Sequence, residues 1–133
     1  MTTHLNEILK TRVANLSMDD AGIVRLTIDH KNGLMPDDLK EILSGISKLA
    51  KGKKALIIGH SINFKLPSRE VRIFAAEKVN SEVIKAAATI SSNSMAVMAA
   101  NFFLKINQPP FPFKAFSNEK EAIKWLKNFQ TKI

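Results

Sequence analysis

Hydrophobic and polar positions along the chain change period several times, and each change marks a structural element. Near the start, "LKTRVANLSMDD" (9–20) and "GIVRLTID" (22–29) read as two strands joined by the turn chemistry of "DDAG". In the second, Val24, Leu26 and Ile28 alternate with Ile23, Arg25, Thr27 and Asp29, giving one core-facing side and one mixed side. An N-terminal antiparallel hairpin follows. The period then lengthens in "MPDDLKEILSGISKLAKG" (35–52), where Leu39, Ile42, Leu43, Ile46, Leu49 and Ala50 fall on one helical face. Pro36 suits the first helical turn, Asp37 and Asp38 set negative charge at the positive end of the helix dipole, and Gly52 ends the run.

"KKALIIGH" (53–60) is a short strand, apolar at its centre and bounded by lysine and glycine. Residues 68–79 predict a helix with Val71, Phe74, Ala75 and Val79 inward, and "VIKAAATI" (83–90) predicts another core strand in spite of its three alanines. "SMAVMAANFFLKIN" (94–107) reads as a third helix, "FPFKAF" (111–116) as a last strand, and "NEKEAIKWLKNFQ" (118–130) as a closing helix striped by Ala122, Trp125, Leu126 and Phe129. The order is strand–strand, then helix–strand three times, then a helix. Repeated strand–helix–strand units imply parallel pairing with right-handed crossovers. The expected fold is α/β: a mixed sheet with an N-terminal antiparallel hairpin followed by alternating helices and parallel strands, in a single domain over 1–133.

Composition narrows the classes. The chain has 133 residues, 45% hydrophobic and 24% charged, the range of an ordinary globular protein with one core. No stretch approaches the roughly 20 apolar residues of a membrane span, and "MTTHLNEILK" has no basic region followed by a long apolar segment. A cytoplasmic protein is expected. The absence of cysteine excludes disulfides, thiolate metal sites and a thiol nucleophile. Net charge is +8, unevenly placed: residues 1–50 carry six Lys/Arg and seven Asp/Glu, a balance of −1, whereas 51–133 carry fourteen and five, a balance of +9. A basic half suits nucleic acid, anionic lipid or an acidic partner, and equally a lysine-rich solvated surface. No RNA-recognition motif, zinc finger or recognition helix accompanies it, so nucleic acid is not the expected partner.

The order of elements resembles the STAS domain (the SpoIIAA-like fold), the fold of anti-sigma-factor antagonists and of the cytoplasmic tail of sulfate transporters. In the second half the chain is similar to a small bacterial STAS-like subfamily. The shared pattern comprises Ser68 and Arg72 before Phe74-Ala75, then Asn101-Phe102-Phe103-Leu104, Pro110-Phe111-Pro112, and Ala122 with Trp125-Leu126. The resemblance implies a non-catalytic regulatory or protein-interaction module that binds a protein partner or itself, as a homodimer. One departure is clear. Anti-sigma-factor antagonists carry a phosphorylatable serine in an Asp-Ser-Ser/Thr-Gly-like turn after the central strand, where this chain has "GHSINFKLP" and then Ser68.

Candidate sites follow, each beside its plainer explanation. Ser68, followed by Glu70, suits an N-cap. With Lys65, Arg69 and Arg72 nearby, the same position would also accept an anion or a phosphate. His60 ends a central strand, where open α/β sheets place ligands, and a polar residue ending a strand is the bland reading. A small-molecule or lipid site at the carboxyl ends of the strands, near His60 and Ser68, is the alternative function. Asn101 and Lys105 share the narrow polar strip of the third helix with Ser94, and with Phe103 they mark a candidate partner surface. That helix is apolar nearly all round, so it is expected to be covered on more than one side: by the sheet, and by a helix, a second subunit or a partner. "NQPPFPF" ends the helix and stiffens the approach to the last strand. His4, His30 and His60 show no metal-ligand spacing, the five glycines stand singly, and no Gly-x-Ser-x-Gly elbow exists. No catalytic residue, metal or cofactor is therefore expected.

Overall fold

Among the described residues six strands join one sheet, in the order in which they occur along the chain. The computed structural model describes residues 8–63, 67–106 and 108–130, without the side chains of Val79 and Phe103. Strands β1 (Leu9–Lys10), β2 (Ala14–Met18) and β3 (Ile23–Asp29) are antiparallel neighbours. From β3 the sheet continues in parallel through β4 (Ala55–Ile62), β5 (Ile84–Ile90) and β6 (Phe113–Phe116). This is the expected mixed sheet. One difference lies at its start, where the predicted strand 9–20 folds back on itself. The Thr11 hydroxyl accepts hydrogen bonds from the amides of Val13 and Ala14, and this local turn returns Leu9 to pair with Leu16. At the next turn the Asp19 carboxylate accepts from Ala21 and Ile23, while Gly22 takes a φ of 80° that a larger residue would resist.

Parallel strands bury both faces, and the register shows how each is covered. Val24, Ile57, Ala87 and Phe113 are neighbours on one face, over which α1 (Pro36–Leu49) lays Ile42 and Ile46. Ile23, Leu56 and Ala86 lie on the other, against Ala122 and Leu126 of α4 (Glu119–Lys127). Full burial of an isoleucine or leucine side chain is worth about 1.5–3 kcal/mol, so these two clusters carry much of the stability. The alanines of β5 suit this arrangement: Ala86 and Ala88 let Ala122 approach closely, where β-branched residues would hold α4 away.

Two helices differ from expectation. The helix predicted over 68–79 ends early: α2 spans Arg69–Ala75 and a 3₁₀ turn occupies Lys78–Glu82. Asn80 explains the stop, because its Nδ2 donates to the carbonyls of Phe74 (2.8 Å) and Ala75 (3.1 Å) and so caps the last turn. Helix α3 (Ser94–Ile106) does not lie over the sheet. It runs beside the free edge of β6, since α1 and α4 already occupy the two faces.

The start of α1 is fixed from a distance. Asp38 is only 3% exposed, and its carboxylate accepts from the Met35 amide at 2.7 Å and from Arg12 Nε at 2.9 Å. Arg12 also donates to the Gly33 carbonyl, so one guanidinium ties the β1–β2 turn to the loop before α1. The hydrogen bonds from Arg12 hold the Asp38 carboxyl below the usual carboxylate range. Such a group stabilises the fold above the unfolded pKa, near 4, and the contribution is lost as pH falls through the lower folded value. Denaturant titrations should therefore show wild-type stability falling below about pH 4. That fall should be shallower in Asp38→Asn, and Asp38→Ala should cost about 2 kcal/mol at neutral pH, from a lost cap and lost charge-assisted bonds.

Candidate functional site

The sequence-marked residues do not gather in one place. Ser68 is the N-cap of α2, extended at φ −64° and ψ 164°, and its hydroxyl accepts from the Val71 amide at 3.2 Å. Arg69 and Arg72 are exposed on the same short helix, and Lys65 lies outside the described residues. α2 packs on α1, on one side of the sheet. His60 projects to the other side, with Nε2 at 3.9 Å from Glu119 Oε1 at the start of α4. Ser68 and His60 are therefore not brought together, and the alternation of β4 is the reason: Ile57 and Gly59 face α1, while Leu56, Ile58 and His60 face α4. His4 lies outside the described residues, among which no cluster of three or more His, Asp or Glu could hold a metal ion.

Around His60 is an ion-pair network that periodicity does not reveal. Arg25 donates from both Nη atoms to Glu119 (2.8 and 3.2 Å) and from Nε to Asp19 (3.2 Å). The Arg25 hydrogen bonds hold the Glu119 carboxyl low. All three side chains are partly exposed, so the network aligns α4 with β3 more than it stabilises the fold. On the other side His30 is buried, with Nε2 at 3.2 Å from Ser61 Oγ, and desolvation lowers its pKa toward the neutral ring.

Between the sheet and the α1–α2 layer lies an apolar cavity of about 210 Å³ near the carboxyl ends of β3, β4 and β5. Its sequence signal is the small residues Gly59 and Ala87 on the face that α1 covers, where large side chains would fill the space. A glycine inside a strand and an alanine run are ambiguous until the register places them over α1.

The candidate partner surface is the most distinctive feature. Asn101 lies on the inner side of α3, where Oδ1 accepts from the Ala115 amide (2.8 Å) and Nδ2 donates to the Ala115 carbonyl (3.0 Å). Its amide thus pairs the free edge of β6 as another strand would. Lys105 is exposed in the last turn, favourably placed for the helix dipole, and the Phe103 side chain is outside the described residues. The outer side carries Met95, Met98, Phe102 and Ile106, spaced as one helical stripe and 77%, 72%, 67% and 66% exposed. The expected second cover of α3 is absent among the described residues, so the stripe meets solvent.

The fold is thus a mixed α/β sheet flanked by helices, with an apolar helix along one edge. The chain belongs to the family described as Domain of unknown function (DUF7793), whose model matches residues 16–130. Among solved structures it is similar to an uncharacterised DUF3478-family protein from Shewanella loihica PV-4, described as having a SpoIIAA-like fold. That similarity has 16% identity, a TM-score of 0.48, and covers 95% of this chain and 98% of that one. A protein of unknown function from Arthrobacter sp. FB24 is similar at 24% identity and a TM-score of 0.30, over 84% of this chain and 97% of that one. No curated protein matches the chain. Among the described residues no helix is long and apolar enough to cross a membrane.

Removing the edge-pairing amide tests its role. Asn101→Ala leaves both backbone groups of Ala115 unpaired and should lower stability by about 2 kcal/mol in chemical denaturation. Lys105→Ala should leave it unchanged, and Ser68→Ala should cost about 1 kcal/mol through the lost cap.

Proposed function

We propose that the protein is a non-catalytic regulatory module that works by docking another protein against the outer side of α3. The observation that carries this reading is the exposed stripe Met95–Met98–Phe102–Ile106. Monomeric proteins seldom leave a contiguous apolar patch in water unless something uses it, and methionine and phenylalanine adapt well to partner surfaces. Asn101 supports the reading, because it holds α3 against β6 in one orientation and keeps the stripe outward.

Charge selects the occupant. From Val83 to Asn118, the stretch that builds β5, α3 and β6, the chain has three lysines (Lys85, Lys105, Lys114) and no Asp or Glu. A second copy would bring a second Lys105 on α3 and no carboxylate from this stretch to meet it, which disfavours self-association through this face. A segment with an apolar helical face bordered by Asp and Glu would be attracted on both counts. The partner is therefore an acidic amphipathic helix of another protein.

Fluorescence anisotropy with labelled model peptides tests this directly. A synthetic amphipathic helix with a leucine–methionine face and glutamate borders should bind, and should weaken as salt rises. The same helix with lysine borders should not bind, and Phe102→Asp should weaken the glutamate peptide about tenfold or more without unfolding the protein. Equal behaviour of the two peptides would remove the acidic partner. Sedimentation showing a wild-type dimer that Phe102→Asp returns to monomers would make the occupant a second copy.

A further inference from the structure

The cavity on the α1 side of the sheet is apolar over most of its length and polar at one end. Leu26, Ile42, Ile46, Ile57, Ala87 and Phe113 wall it toward the middle of the strands, and Gly59 leaves its floor low. Among the described residues its polar lining comprises His30, His60, Ser61, Asn80 and Thr89. Two of these are turned elsewhere: His60 meets Glu119 across the sheet, and Asn80 gives Nδ2 to the carbonyls that end α2 while its Oδ1 is buried. The other three converge. Thr89 pairs with Gly59 in the register, and Ser61, next but one along β4, turns to the same face. His30 follows β3 and sets Nε2 at 3.2 Å from Ser61 Oγ. Ser61 is exposed, so this end is the mouth, at the carboxyl ends of the strands where open α/β sheets place ligands.

The mouth selects the head group. No Lys, Arg, Asp or Glu stands among the described lining residues, and desolvation holds His30 toward the neutral ring. A charged head would therefore lose water and gain no ion pair. A hydroxyl fits. The His30–Ser61 bond uses either the Ser61 proton or one of its lone pairs, according to the imidazole tautomer, and leaves the other to a ligand. A ligand hydroxyl both donates and accepts, so it serves either case, and Thr89 offers a second hydroxyl beside it. Behind the head, the volume decides the body. An apolar cavity of about 150 Å³ accepts benzene, and the volume here, about 210 Å³, admits a longer one. We infer that this cavity binds a small neutral amphiphile, with an aliphatic chain of about six carbons between the apolar walls and a hydroxyl head on Ser61 and Thr89. The site lies on the α1 face of the sheet and does not involve the outer stripe of α3, so it stands or falls apart from the docking function.

1-Hexanol and hexanoate share a chain and differ in the charge of the head. In NMR titrations of the full chain, 1-hexanol should bind saturably and shift the amides of Gly59, Ser61 and Thr89, leaving those of Met98 and Phe102 in place. Hexanoate should bind more weakly by about fivefold or more. Two variants supply a second arm. Ser61→Ala removes one hydroxyl at an exposed position and should weaken 1-hexanol about fivefold. A Cβ at Gly59 meets only the carbonyl oxygens of Ala88 at 3.7 Å and Leu26 at 3.9 Å, which is ordinary contact. Gly59→Val should therefore fold, because valine also suits a strand better than glycine, and should lose 1-hexanol binding. No saturable binding of 1-hexanol by wild type up to its solubility limit would overturn the site, as would binding unchanged in Gly59→Val. Hexanoate binding as tightly as 1-hexanol would overturn the neutral head, and unchanged affinity in Ser61→Ala would overturn the anchor. The comparison of the two probes and the shifted amides need no variant, and they decide the inference even if Gly59→Val fails to fold.

Discussion

A parallel sheet must be covered on both faces, and this protein has two elements that do most of the covering. Strands β3 to β6 stand in chain order, which brings the connecting helices α1 and α2 to one face, as consistent crossover handedness requires. The opposite face would stay in water had the chain not returned after β6 to lay α4 across β4, β5 and β6. Once both faces are taken, α3 has only the edge of β6 to rest against. Its position, its exposed stripe and its availability to a partner all follow from that shortage of places.

Polar side chains that serve the backbone hold the arrangement at its weak points. Asp38 pairs the amide before α1, Asn80 pairs the carbonyls that end α2, and Asn101 pairs the open edge of β6. Each does work that regular structure cannot do at its own ends. Asn80 differs in that its Oδ1 is buried with no donor among the described residues. The other two are spent within the fold.

The composition of one strand shapes two regions. On the α4 side, Ala86 and Ala88 make a shallow floor against which Ala122 packs. On the α1 side, Ala87 and Gly59, diagonal to each other across β4 and β5, leave a gap that α1 does not fill with Ile42 and Ile46. Close contact and a cavity thus arise from the same small residues, because the strand alternates and turns alanines to both faces of the sheet.

Periodicity made most of the architecture legible. Alternation in 22–29, the heptad-like spacing of 39–50 and the stripe of the closing helix each depend on local burial, and the chain order of elements decides the sheet. The capping role of Ser68 was legible for the same reason, since a cap bonds a residue three positions away. What sequence could not show depended on distant partners. Arg12 meets Asp38, Arg25 meets Glu119, and Asn101 meets Ala115 across 26, 94 and 14 positions. His60 and Ser68 shared a place in the reading but are separated by the alternation of a single strand. The apolar run of α3 announced a covered helix, and only the tertiary structure, with both faces of the sheet already occupied, left its outer side in water.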